Sequence, residues 1–467
     1  MGQTIAKQQG GEVRCEAINV QQLLDDEQVT IPAHLRTNTN PDMGDDHLPI
    51  SIYTSREHFD LEIERVWPRV WQMVCRQEDI PEPGDVHVYD NLNESLLITR
   101  QADGSIKAFV NSCLHRGRAL RAVDGRVRAF RCPFHGFQWN IDGSFSHMPC
   151  EWDFQHVCKD AMQLPEVKCD TWGGFVFINI DGEAKPLLEY LGVIPEHFER
   201  YGLEQAFKGV HVQKMIPCNW KVAHEAFLES YHAIATHPQI LPFTADANTQ
   251  YDTFGDHVSR MITAMEVSSP HLKDMTEHDI VSASLKYSGR MADHGDKDIE
   301  MPEGMTARQY IGEMNRQAFA EASNRDLSDA TLSELQDAIL YDIFPNTQVW
   351  AGYFGNIVYQ FRPNGLDHET CIFDVRMLLR SPEADAPPRG VPVHRLSDEE
   401  PFTAAEELGA LGEVFDQDMR NLPYMMKGLK ASKVGSVTLG SYQESRIRHL
   451  HATIKKYFEN DENLTYR

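Results

Sequence analysis

Two short Cys/His pairs constrain this chain more than any other feature of it. Cys113-Leu-His115 and Cys132-Pro-Phe-His135 are separated by 16 residues, and each pair offers one thiolate and one imidazole. Four such donors hold zinc tetrahedrally. They also suit a [2Fe–2S] cluster with both cysteines on one iron and both histidines on the other. Zinc sites favour Cys-x2-Cys and His-x3–5-His pairs, whereas here each pair is itself Cys-then-His. That order fits two loops that each send one ligand to each iron. The surroundings supply the loops. From about 70 to 182, β-rich runs at 86–89, 96–99, 108–110 and 175–180 alternate with Asp103-Gly104, Asp124-Gly125, Asp142-Gly143 and Asp181-Gly182. Asp-Gly between such runs is a hairpin signal, because both residues tolerate positive φ. A small antiparallel β domain is predicted.

A second concentration of chemistry begins at Asn219-Trp220-Lys221 and runs through His224-Glu225, Glu229 and Tyr231-His232 to His237-Pro238. His224-Glu225 opens like the zinc-peptidase pattern His-Glu-x-x-His, but Leu228 fills the last position and cannot bind metal. A helix is predicted over 222–235. On a continuous helix, a five-residue spacing turns His232 and His237 about 140° apart. They converge only if the helix bends or ends between them. Glu229 and His232, three apart, share a face.

Both regions resemble the Rieske non-haem iron oxygenases. Cys113-Leu-His115-Arg116-Gly117 and Cys132-Pro-Phe-His135-Gly136 are similar to the paired cluster motif, glycines included. The Asn-Trp-Lys run followed by an acid, Tyr-His and a second His is similar to the catalytic iron segment. The resemblance covers roughly residues 50 to 430 and implies a ligand set. Cys113, His115, Cys132 and His135 would hold one [2Fe–2S] cluster, and His232 and His237 a mononuclear Fe(II). The carboxylate ligand would come from the C-terminal helix, where Asp418 fits the family's Asp-x-x-Asn pattern, with Asp416 and Glu413 as competitors. Two imidazoles and one carboxylate leave metal positions open for O2. Glu229 would bridge a histidine of each centre across neighbouring subunits; many ring-hydroxylating members carry Asp there. Asn219 is a further candidate for a catalytic role.

The implied protein is the large (alpha) subunit and terminal oxygenase component of a Rieske mono- or dioxygenase. It would act on an aromatic or other hydrophobic substrate, with electrons from a reductase, with or without a ferredoxin, and NAD(P)H used only through that reductase. A homotrimer or a multiple of it is implied, with or without a small beta subunit. Oxidative demethylation uses the same ligands. A Rieske electron-transfer protein is the alternative of another class, but it would end near residue 180 and would need no His232/His237 pair.

The rest of the chain is read more coarsely. Residues 1–50 form a polar arm, part of which is expected to be loosely ordered unless it lies on a neighbouring subunit. A helix follows, with Thr54 and Glu57 at capping-box spacing and Phe59, Ile63, Val66 and Trp67 on one face. Helices are predicted at 307–322, 332–340 and around Ile447, Leu450, Ile454 and Phe458, and strands at 348–361 and 370–379. Pro382, Pro387, Pro388 and Pro392 mark a loop. Residues 240–345 carry no motif and are expected to wall and cover the pocket, to which Phe227, Trp350, Tyr353 and Phe354 are candidate contributors or plain core. Strands and helices do not alternate regularly, so the fold class is α+β. The expected division is arm 1–50, Rieske domain with its preceding helix 51–185, and catalytic domain 186–467. The family implies an antiparallel, helix-grip-like sheet for the last.

Charge and cysteine usage set the surroundings. The net charge of −26 makes the general surface a poor match for nucleic acid or anionic lipid. No apolar run reaches the ~18 residues of a spanning helix. Nine cysteines without an export signal read as reduced thiols or metal ligands, which points to the cytoplasm. One stretch departs from the acidity. Arg116, Arg118, Arg121, Arg126, Arg128 and Arg131 are opposed only by Asp124, a local +5. It is either a solvated or subunit-interface face, or a docking patch for an acidic electron donor.

Overall fold

In the computed structural model, which describes residues 15–288, 299–353, 355–380 and 390–460, Gly104 and Gly143 take φ of 87° and 83°. Both turn the chain back where Asp-Gly predicts a reversal. At Gly143 space matters as much as the dihedral, since an added Cβ would stand 2.5 Å from the Phe109 ring. These reversals build a seven-stranded antiparallel sheet in the order Gln72–Arg76, Phe175–Asn179, Glu166–Trp172, Ile106–Val110, Glu94–Arg100, Asp85–Asn91, Gly125–Arg126. A three-stranded sheet of Ala129–Arg131, Gln138–Asn140 and Phe145–His147 carries Phe130 and Trp139 into a core shared with Val86, Leu97 and Phe109. The other two Asp-Gly pairs act differently. Asp124 accepts from the Val88 N–H at 2.8 Å, and Asp181 caps the Glu183 N–H at 3.0 Å as the chain leaves the sheet.

The larger domain is an eight-stranded sheet in the order Gln250–Phe254, Val258–Thr263, Ala338–Ile343, Thr347–Trp350, Asn356–Asn364, Asp367–Arg380, Ala206–Ile216, His394–Arg395. Neighbours are antiparallel except the last pair. With its helices kept apart from its strands, the whole is α+β. The helix Leu411–Ala431 lies on the sheet through an aromatic cluster. Phe361 and Phe373 stack at 4.5 Å, with Phe227 5.2 Å from Phe361 and Phe415 5.5 Å from Phe373. Burying each such side chain contributes about 1.5–3 kcal/mol. This cluster therefore fixes the helix that carries Asp418.

Several expectations are corrected. Residues 240–345 are not merely wall and cover: they supply three of the eight strands and the unpredicted helix Glu277–Tyr287, while the helix predicted over 307–322 is present as Ala307–Ser323. The helix predicted to reach 340 ends at Gln336, because Ala338-Ile339-Leu340-Tyr341 pairs with Val258–Thr263. The strand predicted over 348–361 is two strands, separated at Gly352 and Gly355, whose φ values are 87° and 157°. Ser55, not Thr54, caps Arg56–Arg65, its hydroxyl accepting from the His58 N–H at 3.1 Å. Phe354, Pro382, Pro387 and Pro388 lie outside the described residues.

The arm from residue 15 onward is fastened to its own chain. Arg260 is fully buried and ion-paired to Asp252 at 2.6 Å; its remaining donors reach Tyr341 Oη at 3.2 Å and the His34 and Thr37 carbonyls at 2.7 and 2.8 Å. A buried guanidinium needs all its donors met, and the arm supplies two of the acceptors. The two domains are joined by another buried guanidinium. Arg76 donates to the Gly173 and Ala206 carbonyls at 2.9 and 2.6 Å. The helix Arg56–Arg65 packs on the catalytic domain, where Glu62 accepts from Trp220 Nε1 at 2.9 Å and from Lys221 Nζ.

Candidate metal centres

The first centre is one turn made twice. In each loop the cysteine N–H donates to the carbonyl five residues on, Cys113 to Arg118 at 2.9 Å and Cys132 to Phe137 at 2.8 Å. A glycine N–H returns to the cysteine carbonyl, from Gly117 at 2.8 Å and from Gly136 at 2.9 Å. Those glycines have φ of 76° and 81°, which side chains rarely adopt. The two loops thus present matched donors. The cysteine sulfurs are hydrogen-bonded to each other, and the His115 and His135 rings lie 4.7 Å apart. Burial raises the Cys113 thiol; at Cys132 burial is outweighed by the backbone N–H groups of Phe134 and His135 and by Cys113, which hold it down. His115 Nδ1 is buried without a partner in a loop whose ring stacks on Phe137 at 4.6 Å. A buried ring nitrogen left unpaired is costly, and a metal bond satisfies it. Paired sulfurs beside paired imidazoles fit a two-iron cluster.

The second centre arises where a helix breaks. The predicted helix over 222–235 is two pieces, Trp220–Glu225 and Ala233–Thr236, with His232 and His237 as the flanking residues of the second. The break brings the two rings to 5.1 Å. Behind His232, Glu229 Oε1 lies 2.7 Å from Nδ1 and Oε2 accepts the backbone N–H at 2.9 Å. Behind His237, Gln417 Oε1 lies 2.7 Å from Nδ1. Each Nδ1 faces an oxygen, which accepts, so in this arrangement each Nδ1 carries the hydrogen and each Nε2 offers a lone pair. The Nε2 atoms face Asp418 Oδ1, His237 at 2.9 Å and His232 at 3.5 Å. Adjacent donors around an ion at about 2.1 Å stand about 3 Å apart. All three residues offer ligand atoms within 4.8 Å of one another. Burial lowers His232, but Glu229 and Asp418 outweigh it and raise it to about 9.

The competitors are held elsewhere. Asp416, about 160° round the helix from Asp418, accepts from the Phe402 and Thr403 N–H groups at 2.6 and 3.2 Å. Glu413 stands in the first helical turn, about 140° from Asp418. Asn219 is not brought to the histidines. It caps its helix by accepting from the Lys221 N–H at 3.0 Å and donates to the His368 carbonyl at 2.8 Å. Phe227 lies in the aromatic cluster, and Tyr353 packs on Tyr201 at 5.4 Å. A cavity of about 460 Å³ abuts the site, bounded by Glu229, His232 and Asp418 and by Val222, Leu422 and Met425. It also reaches Glu225, whose carboxylate accepts from Tyr53 at 2.9 Å and faces His451 Nε2 at 2.6 Å. Sequence reasoning missed Gln417 and its neighbour Gln239.

Both regions match known families. A family model for the ring hydroxylating alpha subunit (catalytic domain) matches residues 196–460, and one for the Rieske [2Fe–2S] domain matches residues 70–158. The chain belongs to the ring-hydroxylating alpha-subunit family. Its Rieske domain binds a [2Fe–2S] cluster, and the family's catalytic domain binds mononuclear iron. It is 35% identical over 194 residues to chlorobenzene dioxygenase subunit alpha of Cupriavidus sp. (strain PS12), covering 40% of this chain and 43% of that one. It is 32% identical over 287 residues to the large oxygenase component of the 2,4-dinitrotoluene dioxygenase system of Burkholderia sp. (strain RASC), covering 57% and 62%. The chain thus spans only about half the length of the curated relatives it matches. Among solved structures, naphthalene 1,2-dioxygenase from Rhodococcus sp. bound to indole shares the fold at a TM-score of 0.61 and 18% identity, covering 89% of this chain and 95% of that one. A quaternary ammonium Rieske monooxygenase with L-carnitine does so at 0.61 and 17%, covering 88% and 96%. Among the described residues, no helix is long and apolar enough to cross a membrane.

Proposed function

We propose that this alpha-subunit chain is the terminal oxygenase component of a Rieske-type oxygenase. It takes electrons from a reductase, directly or through a ferredoxin, and uses O2 to hydroxylate an aromatic or other hydrophobic substrate. The observation that carries the reading is the convergence of His232 Nε2, His237 Nε2 and Asp418 Oδ1, each histidine backed by an acceptor at 2.7 Å. These three hold Fe(II), while Cys113, His115, Cys132 and His135 hold the cluster. When bound, the cluster supplies single electrons and the iron supplies open positions for O2.

The protein's own part is to orient and to connect. Glu229 fixes the His232 tautomer and borders the open cavity, where a histidine of a neighbouring copy's Rieske domain can donate to it. The assembly is a homotrimer or a multiple of one, alone or with a small beta subunit. Residues 51–185 and 186–467 are the two working units, and the chain's nine thiols suit the cytoplasm. The test is turnover of a substrate panel under 18O2 with a surrogate reductase, read by mass spectrometry. Two labelled atoms in a product mean dioxygenation, and one means monooxygenation or demethylation. Cluster cycling with no label in any product defeats the reading in favour of an electron-transfer protein.

A further inference from the structure

Two imidazoles meet at the second centre, and they are backed by unlike groups. The group behind His232 is the Glu229 carboxylate. The group behind His237 is an amide that a second amide holds in place. Gln417 Oε1 lies 2.7 Å from His237 Nδ1 and accepts from Gln239 Nε2 at 2.7 Å, while Gln417 Nε2 donates to Gln239 Oε1 at 3.2 Å. With His237 Nε2 given to the metal, Nδ1 carries the hydrogen, so Gln417 must present its oxygen there. The reciprocal pair holds that orientation, because turning the Gln417 amide over alone would set its NH2 against the Gln239 NH2 as well as against the Nδ1 hydrogen. Gln417 is also the residue next to Asp418 on the helix Leu411–Ala431. One helical turn therefore delivers a ligand and the acceptor that orients a different ligand.

Charge distinguishes the two sides. Asp418 and Glu229 together balance the two positive charges of Fe(II). A second carboxylate behind His237 would leave the buried site with a net negative charge. A carboxylate raises the basicity of the imidazole it backs, and a neutral amide does so less. The centre thus has one strongly donating imidazole and one ordinary one.

Resting on the iron reading of His232, His237 and Asp418, we infer that Gln417, clamped by Gln239, is a positioning residue that locks the His237 tautomer without adding charge to the metal centre. The test uses the purified full chain with its mononuclear iron removed by a chelator and its Rieske absorption intact. Fe(II) is titrated back anaerobically. Gln417→Leu should bind Fe(II) about 10–100-fold more weakly than wild type, with the Rieske spectrum and melting temperature held. Gln239→Leu, which leaves the acceptor in place but unclamped, should weaken binding less. Gln417→Glu keeps an acceptor for Nδ1–H although it breaks the bond to Gln239 Oε1. It should restore wild-type or tighter binding and lower the iron's midpoint potential. Wild-type affinity in Gln417→Leu overturns the inference. So does a Gln417→Glu variant as weak as Gln417→Leu, because the amide pair would then be packing alone. A wild-type chain that takes up no Fe(II) overturns the iron reading itself, and the inference with it.

Discussion

His237 Nε2 stands 2.9 Å from Asp418 Oδ1, while Asp416, two positions earlier, has its oxygens on the Phe402 and Thr403 N–H groups. Asp418→Ala should therefore lose mononuclear iron and keep the Rieske spectrum. Asp416→Ala should keep the iron and lose about 1–2 kcal/mol of stability with its two caps. Metal analysis and thermal melting of both variants read this directly, and exchanged outcomes would put the carboxylate register off by two. Glu229→Gln probes the other side of the site. Glutamine keeps the size but removes the charge and makes one end of the group a donor. Both metals should bind, the donor should still reduce the cluster, and cluster reoxidation in a stopped-flow single turnover with substrate and O2 should slow severely. Reoxidation at the wild-type rate would make Glu229 an ordinary helix residue. At this scale, what was legible in the sequence was local. The Cys/His pairs state their chemistry within four residues, and Glu229 and His232 within one turn. Gln417 carries no such signal, because its meaning depends on His237, 180 residues away.

Elements were legible where pattern and burial agreed. The strand Ala206–Ile216 alternates buried and half-buried residues along its whole length, yet Lys208 and Lys214 sit on its buried face. Lys208 pairs with Asp79 at 2.6 Å, and Lys214 donates to the Ser397 and Asp398 carbonyls. Two lysines in the inward register break the apolar alternation that marks a strand, so the strand was missed. The bend between Trp220–Glu225 and Ala233–Thr236 was required by the histidine spacing, but the periodicity there still reads as one helix. The arm helix Ala33–Arg36 yields a pH prediction. His34 stacks on His197 at 5.1 Å. Burial, then each histidine's charged neighbours, Arg260 among them, lower them to about 3 and about 4. The unfolded chain binds these protons below about pH 6.5 and the folded chain does not. Stability is therefore full above that pH and falls as pH drops towards 4, by at most about 1.4 kcal/mol per unit for each histidine. Melting temperatures of a His34→Gln/His197→Gln variant should show a flatter slope between pH 6.5 and 4 than wild type. An equal slope would mean that other groups control it.

For the whole molecule, the order of domains followed from the order of motifs, while the contacts between distant parts did not. Glu62 on Trp220 and Arg260 on the arm join segments that no local pattern relates. The basic stretch keeps Arg116, Arg118, Arg126, Arg128 and Arg131 exposed on a chain of net charge −26, beside exposed Phe134. A patch of this sign steers an acidic donor at low salt. Reversing Arg126 and Arg128 to Glu should slow cluster reduction and flatten its salt dependence; an unchanged rate at low salt would assign these arginines to the solvated surface. The central claim is that one chain holds a two-iron cluster and a separate mononuclear iron. Iron and acid-labile sulfide measured per chain, for wild type, Asp418→Ala and Cys132→Ser, test it most directly. The account predicts about three irons and two sulfides in wild type, about two and two in Asp418→Ala, and loss of sulfide in Cys132→Ser. Zinc in place of iron, or iron without sulfide, would contradict it.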